Sequence, residues 1–106
     1  MPRTPEQTWA PIAKAQLETR GVTGGTGFGN NEGLRISGKI FAMLVGSELV
    51  VKLPRDRVDE LVDAGVATRF DAGKGRPMKE WASVPASASR RWKALVDEAR
   101  AFVSPR

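Results

Sequence analysis

The sequence predicts an α+β domain, a two-layer fold with an antiparallel sheet of about five strands in the order α-β-β-β-α-β-β-α. Three observations carry that prediction. Residues 33–53, GLRISGKIFAMLVGSELVVKL, hold three strand-like runs separated by glycine-centred breaks at Ser37-Gly38 and Gly46-Ser47, and such two-residue breaks are the hairpin signal. Trp92, Leu95, Val96, Ala99, Phe102 and Val103 recur at steps of 3, 1, 3, 3 and 1 residues, the spacing of one helix face. The three central runs are joined by turns too tight for a crossover helix, which argues against a parallel βαβ nucleotide-binding fold.

At the start of the chain, Thr4 stands as an N-cap, Pro5 at the first helical position and Gln7 where it completes a capping box. Trp9, Ile12, Ala13 and Leu17 then share a face, with Pro11 inside the pattern, so the spacing predicts either a kinked helix or one that begins near Thr8. Gly21 is the expected left-handed stop. Residues 22–32, VTGGTGFGNNE, carry four glycines and two asparagines; the backbone entropy of that composition predicts a loop or an irregular edge strand, pinned by Phe28. After the meander, Pro54 opens a short helix with Val58, Leu61 and Val62 as its apolar stripe and Gly65 as its stop. Val66 to Phe70 and Met78 to Val84 read as two strands of a hairpin, with Trp81 facing away from Met78, Glu80, Ala82 and Val84. Pro85 closes the second strand, Ser87 or Ser89 is placed to cap the last helix, and that helix ends before Pro105.

Within residues 40–45, simple alternation puts Ile40, Ala42 and Leu44 on one face and Phe41, Met43 and Val45 on the other. Both faces are apolar, which a sheet face left in water is not. Either helices cover both faces or one face meets a second copy of the chain, and the small number of helices favours a homodimer.

The chain of 106 residues is expected to form a single domain, 1–106. It contains no cysteine and no histidine, which removes disulfides, thiolate nucleophiles, the usual zinc sites and histidine-based acid-base pairs. No cofactor and no metal are expected. No run approaches the roughly 20 apolar residues of a membrane span, and the N-terminus has no signal-like apolar region, so a cytoplasmic location is the expectation. The net charge of +5 and a sequence pI near 10.2 favour a polyanionic partner such as nucleic acid or an acidic protein face, although the charge is spread along the chain.

Two short segments concentrate that charge. Gly73-Lys74-Gly75-Arg76 pairs flexible backbone N–H groups with two cations, an arrangement suited to an anion and equally to a plain basic hairpin tip. Arg90 and Arg91, with Lys93, fall at the start of the last helix, where positive charge opposes the dipole at about 0.3 to 1 kcal/mol each. Lys93 has Asp97 four residues on; the two arginines have no such partner. Lys74, Arg76, Arg90 and Arg91 are therefore the candidate binding residues. Other motifs carry less. Residues 33–39 resemble a phosphate loop but put Ile40 where Ser or Thr is needed, between strands and not before a helix. Asp56, Asp59, Glu60 and Asp63 read as a solvated helix face, Ser37 and Lys39 lack an oxyanion donor, and Trp9, Trp81 and Trp92 lie on apolar faces as core residues.

Gly33-Leu34, Gly38 to Leu44, Glu48 to Leu53, Phe70-Asp71 and Gly75 to Trp81 together resemble the TfoX N-terminal domain family over most of residues 5–103. The chain has Gly27-Phe28-Gly29 where that family usually has Met-Phe-Gly. The resemblance implies the same order of helices and strands, no catalytic residues, and a regulatory or interaction role tied to transcription, with protein or nucleic acid as partner; the similar double-wing YjbR group is described as DNA-binding. It spans only the first domain of full-length TfoX proteins, so what it implies is an interaction module, and the competence role of the family is left open for this chain. The rival expectation is a small-molecule-binding protein or enzyme with a pocket between Phe28, Trp81 and the sheet.

Overall fold

The computed structural model describes residues 4–26, 32–71 and 78–104. Its elements are α1 (Pro5–Leu17), β1 (Val22–Thr26), β2 (Glu32–Ile36), β3 (Lys39–Val45), β4 (Glu48–Lys52), α2 (Arg55–Asp63), β5 (Thr68–Arg69), β6 (Trp81–Val84), a 3-10 segment (Ala86–Arg91) and α3 (Trp92–Val103). The fold is α+β, and the sheet has six strands in the order β1-β2-β3-β4-β6-β5, every pair antiparallel. The additional strand is β1. Its glycines do not keep it from pairing residue for residue with β2, from Val22 with Ile36 to Thr26 with Glu32, because an edge strand needs only one partner. Of the two readings of residues 22–32, the edge strand holds for 22–26; Phe28 lies outside the described residues.

The local signals act as the side-chain chemistry dictates. Thr4 and Gln7 form the reciprocal capping box, and α1 begins at Pro5 and continues past Pro11 to Leu17. In the β2–β3 turn, Ser37 (φ 50°) and Gly38 (φ 81°) are both left-handed, as a type I′ turn requires. Gly65 (φ 74°) ends the α2 region. Neither Ser87 nor Ser89 caps α3. Pro85 starts the 3-10 segment, Arg91 occupies the N-cap of α3 without a side-chain cap, and Arg90 and Arg91 thus lie ahead of the helix and not in its first turn.

The sheet has one helical face. Trp92, Leu95, Val96 and Ala99 of α3 are buried against β3 and β4, with Trp9 and Ala13 of α1 and Val58 and Leu61 of α2 completing the layer over Leu34, Ile36, Leu49, Val51, Leu53, Ala82 and Val84. Each fully buried leucine or valine contributes on the order of 1.5–3 kcal/mol. The indole N–H groups of Trp9 and Trp92 are buried without an acceptor among the described residues, a penalty of about 1–3 kcal/mol each set against the large apolar area of the rings.

β3 departs from simple alternation. Leu34 pairs with Ala42 but Arg35 pairs with Ile40, so Phe41 is the extra residue of a bulge. The bulge exchanges two side chains between faces: Phe41 joins Ala42 and Leu44 under the helices, and Ile40 joins Met43 and Val45 opposite. There Met43, Val50 and Trp81 form a second cluster with Ile40, Val45, Phe70 and Met78. Met78 packs on the same side as Trp81, contrary to the alternation expected from Met78 onward, because β6 begins only at Trp81. Met43 and Val50 are 0 % exposed and Trp81 5 % within one chain, so the doubly apolar strand does not require a second copy to bury it.

Because the bulge directs Phe41 into the larger core, Phe41→Ala is expected to cost about 3–5 kcal/mol. Ile40→Val, on the half-exposed opposite face, is expected to cost less than about 1.5 kcal/mol. Urea denaturation of the two variants checks this, and comparable losses would contradict the bulged arrangement.

Candidate functional site

Of the four candidate residues, Lys74 and Arg76 lie outside the described residues. Arg90 and Arg91 lie side by side on the exposed 3-10 segment. They share the rim of a shallow depression of about 300 Å³ with Ser87, Ala88 and Val66. Arg91 also borders a smaller groove of about 180 Å³ with Arg57, Ala94, Leu95 and Glu98. The segment is held from beneath: Trp92 directly after it is fully buried, and Ala88 packs against the core. Its cations therefore sit on a fixed platform beside the electropositive end of α3.

Several other cations hold acidic partners. Arg57 of α2 grips Glu98 of α3 through Nε to Oε1 (2.9 Å) and Nη2 to Oε2 (3.2 Å), and reaches Glu60 at 3.4 Å. The hydrogen bond to Glu98, reinforced by the charges of Glu98 and Glu60 and partly offset by burial, pushes the Arg57 pKa up, so this guanidinium stays charged. Arg69 pairs with Asp59, and Lys93 reaches Asp97 at 3.4 Å. Arg90 and Arg91 form no ion pair within the described residues. The acidic stripe of α2 is thus partly used, Asp59 and Glu60 each holding an arginine.

Sequence reasoning missed a second polar feature, between α1 and α3. Gln16 is 4 % exposed and bonded at both ends of its amide: Nε2 donates to Asp97 Oδ1 (2.8 Å) and Oε1 accepts from Arg100 Nη1 (2.7 Å). Arg100 also donates to Thr19 Oγ1 at 3.3 Å. These residues, with Lys93 and the apolar Pro11, Ile12 and Ala15, line a cleft of about 450 Å³. The partners are more than 80 residues apart in the chain, and only the fold brings them together. A glutamine within an otherwise apolar helix face was the one available signal.

Trp81, proposed wall of a ligand pocket with Phe28, is itself packed against Met43 and Val50, with Lys52 Nζ 5.8 Å from its ring centroid. Ser37 and Lys39 stay exposed around the β2–β3 turn. Among the described residues, no group of His, Cys, Asp and Glu has the arrangement to hold a metal ion, and no helix is long and apolar enough to cross a membrane. No family model, curated protein or solved structure matches the chain.

The Gln16 network clamps α1 to α3. Gln16→Leu is expected to destabilise the protein by about 1–3 kcal/mol, since it strips a half-buried arginine and aspartate of a shared partner. Thermal or urea unfolding tests this, and an unchanged midpoint would show that the network is not holding the helices.

Proposed function

We propose that the protein is a non-enzymatic interaction domain that engages a polyanionic macromolecule, with the phosphate backbone of nucleic acid as the ligand its surface fits best. The supporting observation is the pair Arg90 and Arg91: exposed, adjacent, on a segment anchored by Trp92, and without a carboxylate among the described residues, while Arg57, Arg69, Lys93 and Arg100 each have an acidic residue within 4.0 Å. Two unneutralised guanidiniums beside a helix N-terminus add their fields, and arginine presents a planar fork that matches phosphate oxygens. Lys74 and Arg76 enter this reading on the sequence alone, as a second cationic segment. A regulatory role linked to transcription, as the TfoX resemblance implies, belongs to the same reading.

The rival is a small-ligand binder, favoured by the α1–α3 cleft with its mixed polar and apolar lining. A thermal-shift screen separates the two, since a melting temperature that rises with a neutral metabolite follows only from the rival.

The direct test is a titration of a fluorescent duplex by the protein from low to physiological salt. Affinity is expected to fall steeply as salt rises, and replacing both Arg90 and Arg91 by Gln is expected to reduce the salt slope by about one per arginine. Absence of binding at low salt removes the nucleic-acid reading and leaves an acidic protein surface as the polyanion. Binding with an unchanged slope in the double variant would place the contact elsewhere.

A further inference from the structure

Among the described residues nothing pairs with the outer edge of β1, and its chemistry can be read atom by atom. Ser37 N–H donates to Gly21 C=O at 3.3 Å, which fixes the phase of the β1–β2 ladder: Thr23 and Gly25 exchange hydrogen bonds with Arg35 and Gly33, while Val22, Gly24 and Thr26 turn their backbone groups outward. The Val22 N–H is already used by Thr19 C=O at 3.1 Å. The outward row is then Val22 C=O, Gly24 N–H and C=O, and Thr26 N–H and C=O. No described residue pairs with it, since β1 ends the sheet.

Natural sheets blunt such edges with lysine, proline, a bulge or a covering element. β1, with the sequence VTGGT, has no charge and no proline, and its pairing with β2 is continuous. The opposite edge is managed differently: β5 has only two residues, and its Arg69 is paired with Asp59.

A second feature lies on the same edge. Leu17, at the end of α1, is the one large apolar side chain classed as exposed among the described residues, at 47 %. Its Cδ2 lies 3.4 Å from where a Cβ would stand on Gly24. The leucine therefore sits directly over the middle residue of the open strand.

We propose that β1 pairs with β1 of a second copy of the chain, antiparallel about a two-fold axis at Gly24, joining the two sheets into one. In that register Gly24 of each copy donates its N–H to the Gly24 C=O of the other, and Thr26 N–H of each reaches the partner's Val22 C=O. The ladder stops at Val22, whose N–H is already engaged. The axis also brings the two Leu17 side chains together over the paired glycines, which buries an otherwise exposed leucine, and the absence of side chains at Gly24 leaves room for them. The interface is isologous, as a two-fold dimer demands. The reading is independent of the polyanion surface, which lies on the segment before α3.

Sedimentation analysis over a range of concentrations tests it. The wild-type chain is expected to show a reversible monomer–dimer equilibrium. Leu17→Glu, at an exposed position where folding is not at stake, is expected to weaken it by roughly tenfold or more, the equilibrium equivalent of burying a leucine. Location is tested by cross-linking: the chain has no cysteine, so Leu17→Cys supplies a unique thiol that a short bismaleimide is expected to join between copies. Ala64→Cys, exposed at the end of α2 and on the side of the opposite edge, is expected to stay free of cross-linked dimer under the same treatment. A strictly monomeric wild type, or a dimer indifferent to Leu17→Glu and cross-linked as well through position 64, would overturn the proposal.

Discussion

The fold depends on how β3 and β4 are buried from both sides at once. A strand in which nearly every residue is apolar can settle in either of two registers, and a one-residue slip turns each side chain to the other face. The bulge at Phe41 removes that ambiguity, because it lets the largest side chain of the strand join the helical layer while Met43 stays opposite. α3 then seats Leu95, Val96 and Ala99 on the surface so formed, and the bidentate Arg57–Glu98 contact sets α2 beside it. Partly exposed ion pairs of this kind contribute little stability; their use here is to fix orientation.

The surface that remains is the part free to bind. Arg57, Arg69, Lys93 and Arg100 each hold an acidic partner. The 3-10 segment differs. It is tethered by the buried Trp92 and the packed Ala88, and it holds two arginines whose mutual repulsion nothing among the described residues relieves. Side-chain entropy lost on binding is smaller when the backbone beneath is already fixed, so a rigid segment with uncommitted cations is better suited to binding than an equally charged loose one.

Much of this architecture was legible in the sequence, for local reasons. The capping box at Thr4 and Gln7, the Ser37-Gly38 turn and the α3 periodicity are each determined by neighbours within a few residues, and each is found where it was expected. The features that the sequence left open or did not reveal share one cause, which is that tertiary contact decided them. β1 is a strand because β2 offers it an edge, although its glycines disfavour one. The bulge is set by the register between strands and leaves no trace in the composition of β3. Gln16, Asp97 and Arg100 converge only through the packing of α1 on α3. Arg90 and Arg91 form no ion pair among the described residues, and their 3-10 conformation follows from Pro85 and the anchoring of Trp92, not from a serine cap.

The most direct test of the account is a map of backbone amide shifts by NMR as a short nucleic-acid duplex is added to the labelled protein at low salt. Shifts concentrated on residues 86–93, with the β2–β4 core unmoved, are what a rigid platform bearing Arg90 and Arg91 predicts. Shifts centred instead on the cleft around Gln16, or scattered without a focus, would contradict it.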